Sequence, residues 1–283
     1  MRLAHLILTH ANPAQLSRLI DKLNHEGADF YVHLDLKTSV EPFASLSERK
    51  NVRFITKREK VHWAGYSLVE ATVNGMWEIL STGIDYSYIN LLSGQDYPIK
   101  STGYIHQFLS ANPGRAFMHS LSVREEWTEA IPRIAEYHLV NMNFPGRYAV
   151  QGLLNKLLPE RKFPFSMTPV GRSQWFTIAP ECAKYIIKFL EEHPSFVRFF
   201  KLSWAPDEMI FQTILYNSRF KSAMVNDNLL YVDWSAGKPN PKVLTMEDAD
   251  RLRKSDKLFA RKFSPSIDAG ILDYLDELTA PNK

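Results

Sequence analysis

Cysteine is almost absent. Cys182 stands alone, which excludes an internal disulfide framework and any cysteine-based zinc site. Charge of one sign is also missing: 34 Lys and Arg stand against 31 Asp and Glu, a formal net charge of +3. So even a balance gives no general affinity for nucleic acid, and it confines any basic patch to a local one. No run of roughly 18–20 apolar residues occurs, so the sequence offers no membrane-spanning helix; contact with a membrane is expected to be peripheral at most. The opening Met1-Arg2-Leu3-Ala4-His5-Leu6-Ile7-Leu8-Thr9-His10 pairs a basic residue with an apolar run. Histidine interrupts that run and no small-residue cleavage site follows, so it reads as a buried strand and not as a leader. With 12 Gly and 16 Pro among 283 residues, collagen-like and low-complexity readings fall away.

What is present is an ordinary globular composition, 45% hydrophobic and 23% charged. A chain of this length buries roughly 70–75% of its unfolded surface, enough for one large domain. A single domain over 1–283 is expected, in a reducing compartment, the cytoplasm.

Leu6-Ile7-Leu8-Thr9 reads as a strand, and Leu16, Leu19, Ile20 and Leu23 then recur at helical spacing. Phe30 to Asp35 and Val52 to Ile55 are further apolar runs of strand length. Val69, Val73, Met76, Trp77 and Leu80 predict one face of a second helix, closed by Gly83. Tyr86 to Leu92 is another strand, running into Ser93-Gly94-Gln95-Asp96. Strands alternating with helices predict a mostly parallel sheet whose ligands bind at the carboxyl ends of the strands, where His10, Asp35 and Asp96 fall. The stretch from Glu125 to Pro169 has no clean period and is expected to be irregular. Beyond it, a strand is expected over Gln174–Ala179 and a helix over Pro180–Glu191. Pro206-Asp207-Glu208 is expected to open a further helix carrying Ile210, Phe211, Ile214 and Leu215. A strand near Leu229–Val232 and a helix from about Thr245 complete the pattern.

No GxGxxG, P-loop, HExxH or GxSxG string occurs, which removes the commonest dinucleotide, triphosphate, zinc-protease and serine-hydrolase readings. Four local strings are present in order: Val61-His62-Trp63-Ala64-Gly65-Tyr66-Ser67, Leu91 to Lys100 around Ser93-Gly94-Gln95-Asp96, Trp204-Ala205-Pro206-Asp207-Glu208, and Leu258-Phe259-Ala260-Arg261-Lys262-Phe263. Together they resemble the core-2/I-branching family of β-glycosyltransferases, which includes the peptide O-xylosyltransferases. The resemblance runs from Leu6 to about Leu275 and is weakest in the middle. It implies an α/β, GT-A-like, mostly parallel sheet flanked by helices, with a nucleotide-binding half over 1–110 and an acceptor and diphosphate-binding half over 111–283. It also implies an inverting reaction on a UDP-sugar that needs no cofactor and no metal.

Metal-dependent enzymes of that architecture hold a cation on Asp-x-Asp at a strand end, where it neutralises the departing diphosphate. Here the corresponding places read Asp35-Leu36-Lys37 and Gly94-Gln95-Asp96. Asp248-Ala249-Asp250 has the spacing but is expected on a solvated helix face near the C-terminus. Without a metal, Arg and Lys must stabilise the diphosphate. The resemblance assigns that role to Lys262, with Lys242 as the second basic residue and Arg261 beside the first. Read alone, these are charges on a solvent-facing basic segment that also holds Arg251, Arg253, Lys254 and Lys257.

An inverting transfer needs one carboxylate base, and Glu208 matches it. By itself the Pro-Asp-Glu string is an ordinary helix start that complements the macrodipole, and such a start would hold the carboxylate ionised. The resemblance places His10 and Asp35 against uridine and Asp96 at the donor pocket, where an Asx turn is the plain alternative. Trp63, Trp175 and Trp234 are candidates for stacking on sugar faces, with burial in the core as the ordinary reading; Glu125 and Glu126 fall where the family gathers acceptor contacts.

The expected activity is transfer of GlcNAc or xylose from UDP-GlcNAc or UDP-xylose to a glycan or lipid-linked glycan acceptor, in bacterial surface polysaccharide or glycolipid synthesis. A lipid-linked acceptor would bring the enzyme to the inner face of the membrane, with the basic C-terminal segment helping. The alternatives are a catalytically inactive carbohydrate- or nucleotide-sugar-binding protein of the same fold and, on pI ≈ 8.8 and dispersed aromatics only, a nucleic-acid binder.

Overall fold

The computed structural model describes residues 1–280. In chain order, β1 (Leu3–Thr9), α1 (Pro13–Leu23), β2 (Ala28–Leu34) and β3 (Val52–Phe54) are followed by α2 (Ser67–Ser81), β4 (Tyr88–Ser93), β5 (Tyr97–Pro98) and α3 (Thr102–Ser110). Next come β6 (Ala116–Phe117), β7 (Leu121–Ser122), α4 (Ile131–Ala135), α5 (Arg147–Leu157), β8 (Val170–Gly171) and β9 (Thr177–Ile178). The chain closes with α6 (Pro180–Glu192), α7 (Pro194–Lys201), α8 (Ile210–Tyr216), β10 (Met224–Val225), β11 (Leu230–Val232), α9 (Ala249–Lys254), β12 (Phe259–Arg261) and α10 (Gly270–Leu278). The protein is α/β, and its contacts divide it into two compact units. Neither unit is continuous: the first takes 1–56, 84–113 and 229–283, and the second takes 57–83 and 114–228. Lys242, Arg261 and Lys262, from the half expected to bind acceptor and diphosphate, therefore share a unit with His10, Asp35 and Asp96.

In the first unit four parallel strands run in the order β4-β1-β2-β3. Every residue of β1 and of β2 is buried, which is why both read as largely apolar runs and not as alternations, the polar exceptions being the buried His5, Thr9, Asp29 and His33. Pro13 and the Asn12 side chain, which accepts from the Gln15 N–H, start α1. Its Leu16, Leu19, Ile20 and Leu23 are buried, each contributing roughly 1.5–3 kcal/mol of transfer free energy. A smaller sheet has β12 at its centre, parallel to β11 and antiparallel to β5. Beside it, α10 buries Ile271, Leu272 and Leu275, and Asp276 joins Arg18 at 2.6 Å and the Tyr97 hydroxyl at 2.7 Å.

The second unit is built from short strands and amphipathic helices. β6 pairs with β9 antiparallel and with β10 parallel, and β7 pairs with β8. α2 packs against α6, while α8 is buried from Ile210 to Leu215.

Four local expectations change. Trp77, expected on the inner face of α2, is 57% exposed; the buried stripe runs instead through Val69, Thr72, Met76 and Ile79. The middle region, expected to be irregular, carries α4 and the eleven-residue α5, and no residue of α5 is buried. A helix without an inward apolar stripe leaves no period to read. Pro206–Glu208 is a separate 3-10 turn, cut off from α8 by Met209 at φ −144°, so Glu208 does not sit in the first turn of an α-helix. Asp248, expected on a solvated face, is fully buried in a reciprocal capping box with Thr245. Among the described residues no helix is long and apolar enough to cross a membrane.

Candidate functional site

In the first unit, the candidate residues gather where β1, β2 and β4 end. His10 is exposed just past β1, and its carbonyl accepts from the Thr38 hydroxyl at 2.9 Å. Asp35 follows β2: its N–H donates to the Thr9 carbonyl at 2.9 Å, and its carboxylate accepts from the Lys37 N–H at 2.9 Å with Lys37 Nζ 3.4 Å away. Gly94 packs so closely on this edge that a Cβ there would lie 2.6 Å from Thr9 Oγ1.

Asp96 closes the turn after β4. One carboxylate oxygen accepts from the Ser93 N–H at 2.8 Å, and the other faces Arg261 Nε at 3.5 Å. The Asx-type turn is thus present, and the same carboxylate faces Arg261, a candidate diphosphate-binding side chain. The carboxyl is wholly buried, and burial pushes it up to about 6, against the pull of Arg261 and of the Ser93 N–H. The next turn is tied in by the Phe263 N–H, which donates to the Gln95 carbonyl at 2.9 Å. Burial, and then the charge of Arg261, lower Lys262 from the usual lysine range. Lys262 is half-buried, so the basic segment is not uniformly solvent-facing.

Lys242 is engaged differently. Its ammonium meets both carboxylate oxygens of the buried Asp248 at 2.8 and 2.9 Å, and that hydrogen bond raises it. Two residues on, the Leu244 N–H donates to the Lys262 carbonyl at 2.9 Å, so the two lysine-bearing segments run side by side. Other basic residues are paired as well: Arg251 with Asp233 at 3.3 Å and Arg253 with Asp250 at 3.4 Å. Trp234, on the same loop, is 55% exposed, so the ordinary core reading does not hold for it.

In the second unit, Glu208 is the centre of a second cluster. Its Oε2 accepts from the Arg133 guanidinium at 2.5 Å, a charge-assisted bond. That guanidinium lies between two indoles, 4.7 Å from the Trp127 ring and 4.5 Å from the Trp204 ring. Trp63 meets Trp204 edge-on at 5.4 Å and is 63% exposed. The local chain path fixes this arrangement. Ala205 adopts φ 46°, in the left-handed region, and donates its N–H to the Ala64 carbonyl at 2.9 Å, with Ala64 itself at φ 59°. Two alanines in that region cost roughly 1–2 kcal/mol each. Behind Glu208 the Arg172 N–H donates to its carbonyl at 2.9 Å, and a Cβ on Gly171 would overlap that same carbonyl and Met209.

Asp207 points inward. It is buried, its Oδ1 has no hydrogen-bond partner among the described residues, and burial beside Glu208 raises it well above the carboxylate range. Glu126 is exposed and caps its own turn, accepting from the Ser122 N–H at 2.8 Å. Glu125 is exposed and Trp175 half-buried, and neither is brought to Glu208 by any hydrogen bond or ring contact described here. Trp127, by contrast, is buried under Arg133.

Sequence reasoning missed Arg133. It lies in Ile131-Pro132-Arg133, within the stretch lacking a period, and Glu208 and Trp204 are distant in sequence. The nearest signals are Trp204, which opens the string carrying Glu208, and Trp127, beside Glu125 and Glu126. Among the described residues no group of three or more His, Cys, Asp or Glu side chains is set to hold a metal ion.

A family model described as Core-2/I-Branching enzyme matches residues 3–253. Xylosyltransferase 2 of Rattus norvegicus is 24% identical over 306 residues, covering 98% of this chain and 33% of its own. Xylosyltransferase oxt of Drosophila melanogaster is 24% identical over 303 residues, with the same coverage. The chain thus spans about a third of the length of these curated relatives. Among solved structures, the WbbM bifunctional glycosyltransferase is similar with a TM-score of 0.41 at 14% identity, over 99% of this chain and 50% of that one. Mouse xyloside xylosyltransferase 1 also gives 0.41, at 10% identity over 91% and 97%.

Proposed function

The chain belongs to the Core-2/I-Branching enzyme family, and on that premise we propose that it is an inverting, metal-independent glycosyltransferase. The donor is UDP-GlcNAc or UDP-xylose, and the acceptor is a hydroxyl of a glycan, free or lipid-linked, in the synthesis of a surface polysaccharide or glycolipid. Glu208 takes the proton from the acceptor hydroxyl as that oxygen attacks C1 from the face opposite the nucleotide; the C1–O bond to the diphosphate breaks and UDP leaves with its electrons. Lys262 and Arg261 meet the diphosphate, on which negative charge grows as the bond breaks, and Asp35 and His10 meet the uridine.

The observation that carries this reading is the held state of Glu208. Arg133, stacked between two tryptophans, fixes Oε2 at 2.5 Å, while Oε1 accepts no hydrogen bond among the described residues. One oxygen orients the carboxylate and the other is available to a proton, the division of labour a positioned base requires. The metal-free reading is supported by what stands at the strand ends, where the Lys37 ammonium lies 3.4 Å from Asp35 and Asp96 is committed to Ser93 and Arg261.

Glu208→Gln tests it. In EDTA, calorimetry should show the variant binding UDP like the parent, while turnover of UDP-GlcNAc or UDP-xylose falls at least ~100-fold. Near-normal turnover removes Glu208 from the mechanism. One observation favours a second reading, a nucleotide-sugar-binding protein without turnover: an Arg–Glu pair 20% and 30% exposed is also a common structural device. Under that reading the parent binds UDP-sugar and neither protein turns it over.

A further inference from the structure

Helix α5 is amphipathic in the wrong sense for a globular protein. Its inward side is polar: the Gln151 side chain accepts from the Leu139 N–H at 3.0 Å, and the Asn155 amide both accepts from the Tyr137 N–H at 2.7 Å and donates to the Tyr137 carbonyl at 3.1 Å. Its outward side is apolar. Val150, Leu153 and Leu157, at i, i+3 and i+7, share one side and are 42%, 56% and 70% exposed. Leu158 follows them at 42%, with Phe165 at 53% beyond. An ordinary surface helix turns its leucines to the core and its amides to water; here polar hydrogen bonds help hold the helix in place, Leu154 is half-buried beside them, and Leu153 and Leu157 face out. Single exposed apolar residues need no explanation, but a contiguous set marks a contact surface.

Charge identifies the occupant. Over residues 141–165 the bases are Arg147, Lys156, Arg161 and Lys162, and the single acid is Glu160. Arg161 is turned inward to the Leu202 carbonyl at 2.7 Å, which leaves Arg147, Lys156 and Lys162 around the stripe, Lys156 and Lys162 exposed. A second copy related by a two-fold axis would set this basic patch against itself. A protein of net charge +3 has no general attraction to anionic lipid, yet this patch joins apolar side chains to local positive charge, the combination by which a helix lies in the headgroup layer of a bilayer. The C-terminal basic segment lacks it, because Arg251, Arg253, Lys257 and Arg261 each face an aspartate.

We propose that α5 and the residues after it, up to Phe165, dock the protein on anionic lipid bilayers, with Leu153 and Leu157 entering the interface and Lys156 and Lys162 meeting the headgroups. The inference stands apart from the transfer reaction, since α5 carries none of the residues assigned to it. Flotation with phosphatidylcholine vesicles, with and without phosphatidylglycerol, tests it. The parent should float with the phosphatidylglycerol vesicles only and be released by salt. Leu153→Asp with Leu157→Asp should lower partitioning at least ~10-fold, because the charges cannot enter the apolar layer. Lys156→Glu with Lys162→Glu should lower it at least ~25-fold, about fivefold for each basic residue lost. All four side chains are exposed, and unchanged thermal unfolding of either variant shows that the fold is kept. A parent that stays at the bottom of the gradient overturns the proposal, as does a folded Leu153→Asp/Leu157→Asp variant that still floats. A dimer in sedimentation velocity that this variant dissociates also overturns it, by giving the face to a second copy.

Discussion

Asp96→Asn should make the protein's stability less dependent on pH in a defined window. The carboxyl is fully buried and raised from 3.8 to about 6, so the folded state binds its proton more tightly than the unfolded chain does. The sign follows from linkage: a raised acid costs nothing below the unfolded pKa, and the cost accumulates as pH climbs from 3.8 to about 6 and is constant above it. Two units at 1.36 kcal/mol each give about 3 kcal/mol. Asparagine can still accept from the Ser93 N–H through its carbonyl oxygen, while Arg261 loses its anionic partner at every pH above that window. The two proteins are best compared as a difference, Tm of the variant minus Tm of the parent, measured by calorimetry from pH 4 to pH 7 at constant ionic strength. About 2 of those 3 kcal/mol fall between pH 4 and pH 6, so at roughly 2 °C per kcal/mol for a chain of this size that difference should rise by about 4 °C over that interval and level off near pH 7. A flat or falling difference would mean that Asp96 is ionised throughout, with Arg261 at 3.5 Å outweighing the burial, and the reasoning above would be refuted.

Arg133→Ala removes one charged hydrogen bond, worth about 1.5–3 kcal/mol; if Glu208 is oriented by it, kcat should fall ~10- to 150-fold with UDP affinity unchanged. Arg133→Lys keeps the charge and loses the planar fork between the two indoles, so it should fall between parent and alanine variant; an unaltered kcat in both would leave Arg133 a purely structural residue. Lys262→Ala should weaken UDP binding and lower kcat together, whereas Lys242→Ala should lower Tm, by about 1–3 kcal/mol of lost stability, and barely change UDP affinity, because its ammonium is held by buried Asp248. A Lys242→Ala variant as defective in UDP titration as Lys262→Ala would show that Lys242 leaves Asp248 for the diphosphate.

Much of the first unit was legible in the sequence, for a physical reason. Strands buried on both faces are apolar over most of their length, and β1 and β2 are, with His5, Thr9, Asp29 and His33 as the buried polar exceptions; α1 carries its core face at the expected spacing. The strand-end residues His10, Asp35 and Asp96 follow from that order of elements. The Trp204-Ala205-Pro206-Asp207-Glu208 string singled out Glu208, but not how it is held: Arg133 lies in a stretch with no period, and only folding brings its guanidinium to Trp127, Trp204 and Glu208. Trp77 fitted a helical stripe and faces water, because the helix is rotated toward Thr72 and Ile79. Asp248 reads as surface charge because Lys242 is not visible as its partner along the chain, although Thr245-x-x-Asp248 has the spacing of a capping box. α5 hid for the opposite reason, the amides of Gln151 and Asn155 facing in and Leu153 and Leu157 out.

The position of β12 bears on how the chain acquires its structure during synthesis. It is the middle strand of its sheet, with β11 on one side and β5 on the other, yet the ribosome delivers it only after the whole of 114–228. Until Phe259–Arg261 emerges, β5 has no partner in that sheet and the turn carrying Gln95 lacks the Phe263 N–H that later binds it. The second unit's long stretch is already complete by then, so folding in order of synthesis cannot finish the first unit first. A nascent chain of this protein therefore carries an unpaired strand edge through most of its translation, the kind of exposure that recruits chaperones.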